Sequence, residues 1–132
     1  AKQRPNLRFI EYVTQIDRYF NEAHVLVNTS EYEGFPNTFI QAAKNKTPLL
    51  SFKVNPDNFI NRYQCGFCAE GNFDQMVGKL KALLENEALH NKMGENAFRY
   101  AKQYHDINKI VPKFKKLLQS LVIGSQVPNE ED

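Results

Sequence analysis

The chain has few or none of the features that mark several classes of protein. No apolar run approaches the length needed to cross a bilayer, and the first residues lack the basic and then apolar pattern of a secretion signal. The 17 Lys and Arg residues nearly balance the 15 Asp and Glu residues, and no dense basic cluster is interleaved with aromatic residues. We therefore expect a soluble, cytoplasmic protein with no nucleic-acid partner.

Cysteine is also scarce, because Cys65 and Cys68 are the only two in the chain. Their CxxC spacing is typical of a redox pair or of half a zinc site. A zinc site would need a second pair of ligands, and the three histidines (His24, His90 and His105) show no ligand spacing. A thioredoxin-type pair would begin a helix, whereas Cys-Gly-Phe-Cys here has the pattern of a short strand entering a turn. We expect both cysteines to be reduced and structural, with no metal site.

The length and composition are those of one globular domain. The 132 residues, 42% of them hydrophobic, suffice for a single core, and two domains would be hard to fit. Strand patterns alternate with helix patterns along the chain, as in a parallel sheet. The strand patterns fall at residues 7–13, 25–27, 49–52 and 66–69.

The sequence therefore predicts an α/β fold. About four parallel strands would be flanked by helices, and the C-terminal helices would pack on this sheet. Residues 1–123 would form the domain. The polar, acidic residues 124–132 would be a disordered tail.

Several polar side chains stand where a helix is predicted to begin. Thr14 and Asp17 have the spacing of a capping box at the start of a helix over about residues 15–22. Asp74 and Asp106 are suited to cap two later helices. Asp57 follows the strand at residues 49–52, where it would either cap a short helix or contact a ligand.

The last predicted helix is basic and amphipathic. Its apolar face comprises Ile107, Ile110, Val111, Phe114, Leu117, Leu118 and Leu121. Its opposite face carries Lys109, Lys113, Lys115 and Lys116. Such a helix can lie on an anionic membrane or bind a partner, although a solvated face is the commoner meaning. Pro112 falls inside the helix, so we expect a kink or an interruption there.

Residues 24–43 combine a short apolar strand, a polar turn and the start of an amphipathic helix. A tight loop between a parallel strand and a helix lies at the carboxyl edge of the sheet, where open α/β sheets bind ligands. Glu33 would lie at that edge, Gly34 would let a ligand approach the backbone, and Pro36 suits the first helical turn. Free N–H groups at the helix start would favour a phosphate there.

These residues also resemble a known family. The stretch at residues 30–43 is Ser-Glu-Tyr-Glu-Gly-Phe-Pro-Asn-Thr-Phe-Ile-Gln-Ala-Ala, and residues 47–51 are Thr-Pro-Leu-Leu-Ser. Together they resemble the donor-binding signature of the retaining GT-B glycosyltransferases of family 4, the glycosyl transferases group 1. The resemblance covers roughly residues 7–121 and implies the second half of the family's C-terminal, Rossmann-like, donor-binding domain.

The resemblance also implies roles for individual residues. Glu33 would be the catalytic-site carboxylate and would face the hydroxyls of the donor sugar. In the family a second acidic residue, eight positions further on, binds the ribose; here that position is Gln41, which can accept and donate hydrogen bonds without the strength of a carboxylate. The implied donor-binding residues are Glu33, Gly34, Phe35, Pro36, Asn37, Thr38 and Gln41.

Each of these residues also has a purely structural interpretation. Thr38 and Gln41 have the spacing of a capping box, in which both would only satisfy N–H groups at the helix start. Gly34 could serve only the turn, and Glu33 only the helix dipole. Residues 12–14 would either contact the nucleotide base, as the resemblance implies, or pack at the end of a strand.

The activity implied by the resemblance belongs to a longer protein. It would transfer a sugar from a UDP- or GDP-linked donor to an acceptor hydroxyl with retention of configuration, without a metal or other cofactor. The acceptor would be a glycan or lipid-linked glycan in polysaccharide or glycoconjugate synthesis, bound by an N-terminal domain outside this chain. The full protein could associate peripherally with a membrane.

In the family, the Arg and Lys that bind the diphosphate also lie upstream of this stretch. We therefore expect the isolated chain to be catalytically inactive. The alternative is a non-catalytic, degenerate GT-B-like module that binds a protein partner, an interpretation that the Gln at position 41 would fit.

Overall fold

The structure is a computed structural model that describes residues 4–124. Short parallel strands alternate with helices in the first half of this part of the chain, and three helices follow. In chain order the elements are α1 (Ile16–Glu22), β1 (Leu26–Asn28), α2 (Asn37–Lys44), β2 (Leu49–Ser51), a 3₁₀ turn (Pro56–Asn58), α3 (Phe59–Arg62), β3 (Gly66–Cys68), α4 (Phe73–Glu85), α5 (Glu87–Tyr104) and α6 (Ile107–Gly124). The predicted α/β class is confirmed.

The sheet has β2 at its centre, with β1 and β3 parallel to it on either side. Its register aligns the ends of all three strands, because Ser51 lies opposite Asn28 on one side and Cys68 on the other. The loops that leave the three strands therefore start from the same edge of the sheet.

Hydrophobic cores cover both faces of this sheet. Leu49 and Leu50 are adjacent in β2, and their side chains belong to two different buried clusters, as the alternation of side chains along a strand requires. The Leu49 cluster receives residues from α1, α2, α3 and α5. The Leu50 cluster receives Met76 and Leu83 from α4 and Met93 from α5. The sheet is thus the middle layer of three.

The predicted first strand is wrong. Residues 7–13 are irregular, and the side chains of Phe9 and Tyr12 are 91% and 93% exposed. A strand is stable only when a neighbouring strand satisfies its N–H and C=O groups, and in residues 4–124 β1 pairs only with β2. The apolar pattern of this segment therefore has no partner to make it a strand, and the described sheet has three strands instead of about four.

Several predicted caps are displaced by a few residues. α1 begins at Ile16 without a side-chain cap, and Asp17 pairs with Lys44 at 2.9 Å instead of completing a capping box with Thr14. Asn72, not Asp74, caps α4 by accepting a hydrogen bond from the N–H of Gln75.

The region around Asp57 also differs from the expected cap. Asp57 and Asn58 have positive φ values of 50° and 56°, and the oxygen that accepts the N–H of Ile60 belongs to Asn55. The cap at Asp106 is confirmed, since its Oδ1 accepts the N–H of Asn108 at 3.0 Å.

The C-terminal helices divide into two kinds. α4 and α5 pack on the sheet as predicted, but none of the α6 residues whose side chains are described, 107–122, belongs to either core cluster. The apolar side chains of α6 from Ile107 to Leu118 are 40–68% exposed, and the helix continues through Pro112 without interruption. Within residues 4–124 no helix combines the length and apolarity needed to span a membrane. The predicted tail after Gly124 lies outside the described residues.

Two glycines inside helices provide a matched test of the packing between α5 and the end of α2. A Cβ atom on Gly94 would lie 2.3 Å from the backbone carbonyl oxygen of Lys46, which cannot move aside independently. A Cβ on Gly78 in α4 would meet no atom within 4 Å. We predict that Gly94→Ala lowers the free energy of unfolding by about 1–3 kcal/mol, whereas Gly78→Ala raises it by about 0.4–1 kcal/mol.

Equilibrium unfolding in urea measures both changes. Equal stabilities for the two variants would show that α5 does not approach Lys46 this closely.

Candidate functional site

The candidate site is the loop at residues 29–36, which connects β1 to α2 at the carboxyl edge of the sheet. Backbone hydrogen bonds continue beyond the strand ends and fix the neighbouring loops beside it. The N–H of Phe52 donates to the carbonyl of Asn28 at 2.8 Å, and the N–H of Gly71 donates to the carbonyl of Phe52 at 2.7 Å. Three loops from three strands therefore form one continuous edge.

Glu33 is held at this edge by its own loop. The side-chain amide of Asn28, the last residue of β1, donates to Glu33 Oε1 at 2.8 Å, and Asn28 Oδ1 accepts the N–H of Ser30 at 3.0 Å. Hydrogen bonds from Ser30 and Asn28 lower the pKa of the Glu33 carboxyl below its usual range. Because Glu33 is exposed, an ionised, oriented carboxylate faces solvent at the strand end.

Gly34 leaves open space next to Glu33. A Cβ atom added there would meet no atom within 4 Å, and Gly34 is not among the residues with positive φ. The turn itself therefore does not demand a glycine at this position. This observation favours the interpretation in which the missing side chain gives a ligand access to the backbone.

Phe35 has a structural part in the loop. Its ring stacks on Phe59 with 5.3 Å between ring centroids and lies at the same distance from the ring of His105. The side chain thus packs the loop against α3 and against the residue that follows α5. The donor contacts that the resemblance implies in this region involve backbone atoms.

The start of α2 lies directly after this loop and carries no side-chain cap. Pro36 is the N-cap residue and is buried, and Asn37 and Thr38 are exposed at the first two helical positions. Thr38 therefore stands inside the helix, and the capping box of Thr38 with Gln41 is not formed. Gln41 is half-buried, one turn into the helix. The N–H of Phe39 donates to the carbonyl of Pro36 at 3.0 Å, and the N–H groups of Asn37 and Thr38, which receive no side-chain cap, are left for solvent or a ligand.

Behind the loop lies a cluster of aromatic rings that sequence reasoning did not identify as a unit. Burial is the main cause that raises the pKa of Tyr100 to about 12 and lowers the pKa of His105. The hydroxyl of Tyr100 lies 3.2 Å from Nε2 of His105. The cluster comprises Phe35, Phe39, Phe59, Tyr63, Tyr100, Tyr104 and His105.

Sequence reasoning also missed a contact between Lys53 and Tyr32. Lys53 Nζ lies 3.2 Å from the hydroxyl oxygen of Tyr32 and 4.6 Å from the centroid of its ring. The two residues follow β2 and β1, so this contact joins two loops of the site edge. Nothing in the local pattern signals it, because the residues are 21 positions apart.

The two cysteines lie at the two ends of β3. Cys65 is buried and precedes β3, and burial raises the pKa of its thiol to about 12, while Cys68 is half-buried. Both are free thiols, and in the described part of the chain no group of three or more His, Cys, Asp or Glu side chains could hold a metal ion. His24 and His90, distant in sequence, stack with ring centroids 3.9 Å apart, and each Nε2 bonds to a backbone carbonyl.

A separate concave surface of about 470 Å³ lies beside α1. It is mainly apolar, and it includes Tyr12 and Val13, two of the residues that the resemblance placed near the nucleotide base. No residue of the loop at 29–36 lines it. We assign the candidate site to the sheet edge, because the ionised carboxylate and the free helix start are found there.

The low pKa of Glu33 gives a direct test of the loop geometry. Replacing Ser30 and Asn28 together by alanine removes both hydrogen-bonding groups, so the pKa of Glu33 should rise toward the ordinary glutamate value of 4.5. This pKa is measured by carbon-13 NMR of the Glu33 carboxyl during a pH titration. The stabilisation of the folded state by these bonds is fully present above the pKa of an unperturbed glutamate. It is lost as the pH falls through the lowered pKa of Glu33 in the folded chain.

Asn96→Ala is the control, because the side-chain amide of Asn96 in α5 bonds to Gln64 and Arg99 instead of to Glu33. An unchanged pKa of Glu33 in the double variant would show that these bonds do not form in solution.

Comparisons with known proteins identify the family to which this chain belongs. Residues 1–100 match the family model described as glycosyl transferases group 1. A poly(ribitol-phosphate) alpha-N-acetylglucosaminyltransferase of Staphylococcus aureus (strain COL) is 28% identical over 83% of this chain and 23% of its own length. The capsular polysaccharide biosynthesis glycosyltransferase CapM of Staphylococcus aureus is 30% identical over 71% of this chain and 25% of its own length. A poly(glycerol-phosphate) alpha-glucosyltransferase of Bacillus subtilis (strain 168) is 25% identical over 83% of this chain and 17% of its own length.

No solved structure matches the chain significantly. The chain spans about a quarter or less of the length of these curated relatives. Because the family model covers most of the chain and contains the whole of the loop at 29–36, the chain belongs to the glycosyl transferases group 1 family.

Proposed function

We propose that this chain is the donor-binding part of a retaining, metal-independent glycosyltransferase that uses a nucleotide-sugar. The observation that carries the proposal is the pairing of an ionised, oriented Glu33 carboxylate with the uncapped start of α2 at one sheet edge. A nucleotide-sugar presents sugar hydroxyls beside a diphosphate. The Glu33 carboxylate suits the sugar hydroxyls, and the start of α2 suits the diphosphate.

The carboxylate would bind the sugar. Sugar hydroxyls are hydrogen-bond donors, and bonds to an ionised acceptor are shorter and stronger than neutral ones. Asn28 fixes the position of Glu33 before a ligand arrives, so little reorganisation is needed on binding. The open space at Gly34 would let the sugar ring approach the backbone.

The start of α2 would bind the diphosphate. Its first N–H groups have no side-chain cap, and the positive end of the helix dipole favours an anion there. Gln41 lies one turn further along the same helix and would contact the ribose hydroxyls through its amide, which can both accept and donate.

The names of the relatives suggest the class of acceptor. Two are named for transfer involving a polyol-phosphate polymer and one for capsular polysaccharide synthesis. We propose that the acceptor is a hydroxyl of a polysaccharide, polyol-phosphate or related glycoconjugate, bound by a part of a longer protein outside this chain. One wall of a cleft does not give the effective concentration of a closed site, so the isolated chain should be inactive.

An amide NMR titration of this chain tests the donor site. UDP, GDP and their common sugar conjugates at millimolar concentration should shift amides centred on residues 33–41, with one base preferred. Gln41→Glu should tighten binding by roughly three- to tenfold, because a carboxylate forms stronger bonds with the ribose hydroxyls. Gln103→Glu, which adds the same charge to α5, should leave the affinity unchanged.

The alternative is a non-catalytic module that binds a protein partner, with the exposed apolar side of α6 as its favouring observation. No gain from Gln41→Glu, together with silent amides at residues 33–41, would favour this alternative and contradict the donor site.

Activity of a longer protein that contains this chain tests the part played by Glu33. Glu33→Gln should lower kcat by about 10²-fold or more, because it removes the charge that the loop orients toward the sugar. Glu31→Gln makes the same change two residues away, on an exposed side chain that does not share the hydrogen bond from Asn28 to Glu33, and should retain most of the activity. Similar losses in the two variants would show that only the overall charge of the loop matters.

A further inference from the structure

The site edge has an unusual balance of charge. The three loops that follow the strands, at residues 29–36, 52–55 and 69–72, contain the carboxylates of Glu31, Glu33 and Glu70. Within these loops Lys53 is the one Lys or Arg residue. An edge with three carboxylates repels phosphate, and the start of a helix supplies only about half a positive charge. Any phosphate bound here therefore needs a further cation.

The side chain of Lys53 lies close to the loops on both sides of its own. It follows the central strand β2, and its Nζ reaches Tyr32 in the loop after β1, at 3.2 Å from the hydroxyl oxygen. In the other direction its Cδ lies 3.9 Å from the position of a Cβ on Gly71, in the loop after β3. The side chain thus lies across the edge instead of extending freely into solvent.

The Tyr32 ring fixes this arrangement. The ammonium group lies 4.6 Å from the ring centroid, within the range of a cation–π contact. Its hydrogen bond with the Tyr32 hydroxyl is the main cause that raises the pKa of Lys53 above its usual value, and the charge of Glu31 is a smaller cause. Tyr32 itself is 80% exposed, so neither residue contributes to a core cluster. The pair holds a charged group in place at the site edge without a packing function for the fold.

We propose that Lys53, positioned by Tyr32, binds a phosphate group at the edge that carries Glu33. An ammonium group is a compact point charge that suits phosphate, and the Tyr32 hydroxyl can donate a second hydrogen bond to the same group. This inference rests on the proposed donor site. The phosphate can come from the diphosphate of a nucleotide-sugar or from the phosphodiester of a polyol-phosphate acceptor.

The test uses this chain, because Lys53 and Tyr32 are exposed and their replacement should leave the fold intact. The variants are Lys53→Gln, Lys53→Arg and Tyr32→Phe. The matched control is Lys79→Gln, since the ammonium group of Lys79 also lies over an aromatic ring, 4.5 Å from the centroid of Phe67, but in α4. Dissociation constants for UDP, GDP and a glycerol phosphodiester are measured by NMR at two salt concentrations.

Lys53→Gln should weaken binding of the preferred nucleoside diphosphate about fivefold or more, and it should reduce the salt dependence of binding. Lys53→Arg should retain most of the affinity, and Tyr32→Phe should lose part of it. Lys79→Gln should bind each compound with the affinity and the salt dependence of the unchanged chain. A loss confined to the phosphodiester would support the same phosphate site and assign it to the acceptor.

The remaining outcomes separate this inference from the donor site. Unchanged affinity of Lys53→Gln for every tested compound that the unchanged chain binds, a nucleotide among them, would overturn the phosphate site and leave the donor site standing. Lys53-dependent binding of the phosphodiester without any nucleotide binding would retain the phosphate site and contradict the donor site. Binding of neither compound by the unchanged chain would overturn both.

Discussion

The whole arrangement depends on the pairing of β2 with a parallel strand on each side. β2 is fully buried, and its successive leucines, Leu49 and Leu50, supply one residue to each of the two cores. The same pairing brings Asn28, Ser51 and Cys68 into line. A change that shifted this register by one residue would exchange the two faces of the strand and would also separate the loops of the site.

Much of this could be predicted from the sequence, because it depends on local patterns. Short apolar runs identified the three observed strands to within about a residue, and a strand, a polar turn and a helix in succession placed Glu33 at the sheet edge. The strand expected at residues 7–13 failed because strand formation depends on a partner, which a local pattern does not contain. Caps such as Asn72 were missed because neighbouring Asn and Asp residues are almost equally good caps.

The parts of the site that could not be predicted are contacts between residues distant in sequence. Tyr32 and Lys53 meet because β1 and β2 end at the same level, and Phe35 meets His105 because α5 returns to the same edge. Neither pair has a periodic spacing. The motif therefore located the candidate site at the sheet edge, but it indicated neither the cation beside this site nor the aromatic cluster behind it.

The loop of the site combines a rigid side with an open one. On the inner side, Phe35 connects it to buried rings that include Tyr100. On the outer side, Glu33, Gly34 and Thr38 face solvent. Packing on the inner side limits how far the backbone can adapt to a ligand, so selectivity among ligands would depend on side-chain and backbone groups already in place.

The exposed apolar side of α6 affects how readily copies of the protein associate in solution. Monomeric proteins rarely leave a continuous apolar stripe on a helix, and such a stripe attracts other apolar surfaces without regard to their identity. Ile107, Phe114 and Leu117 are each more than half exposed on this helix. The lysines of the same helix repel one another between copies. Colloidal stability would therefore fall with added salt, which screens this repulsion while leaving the apolar attraction in place.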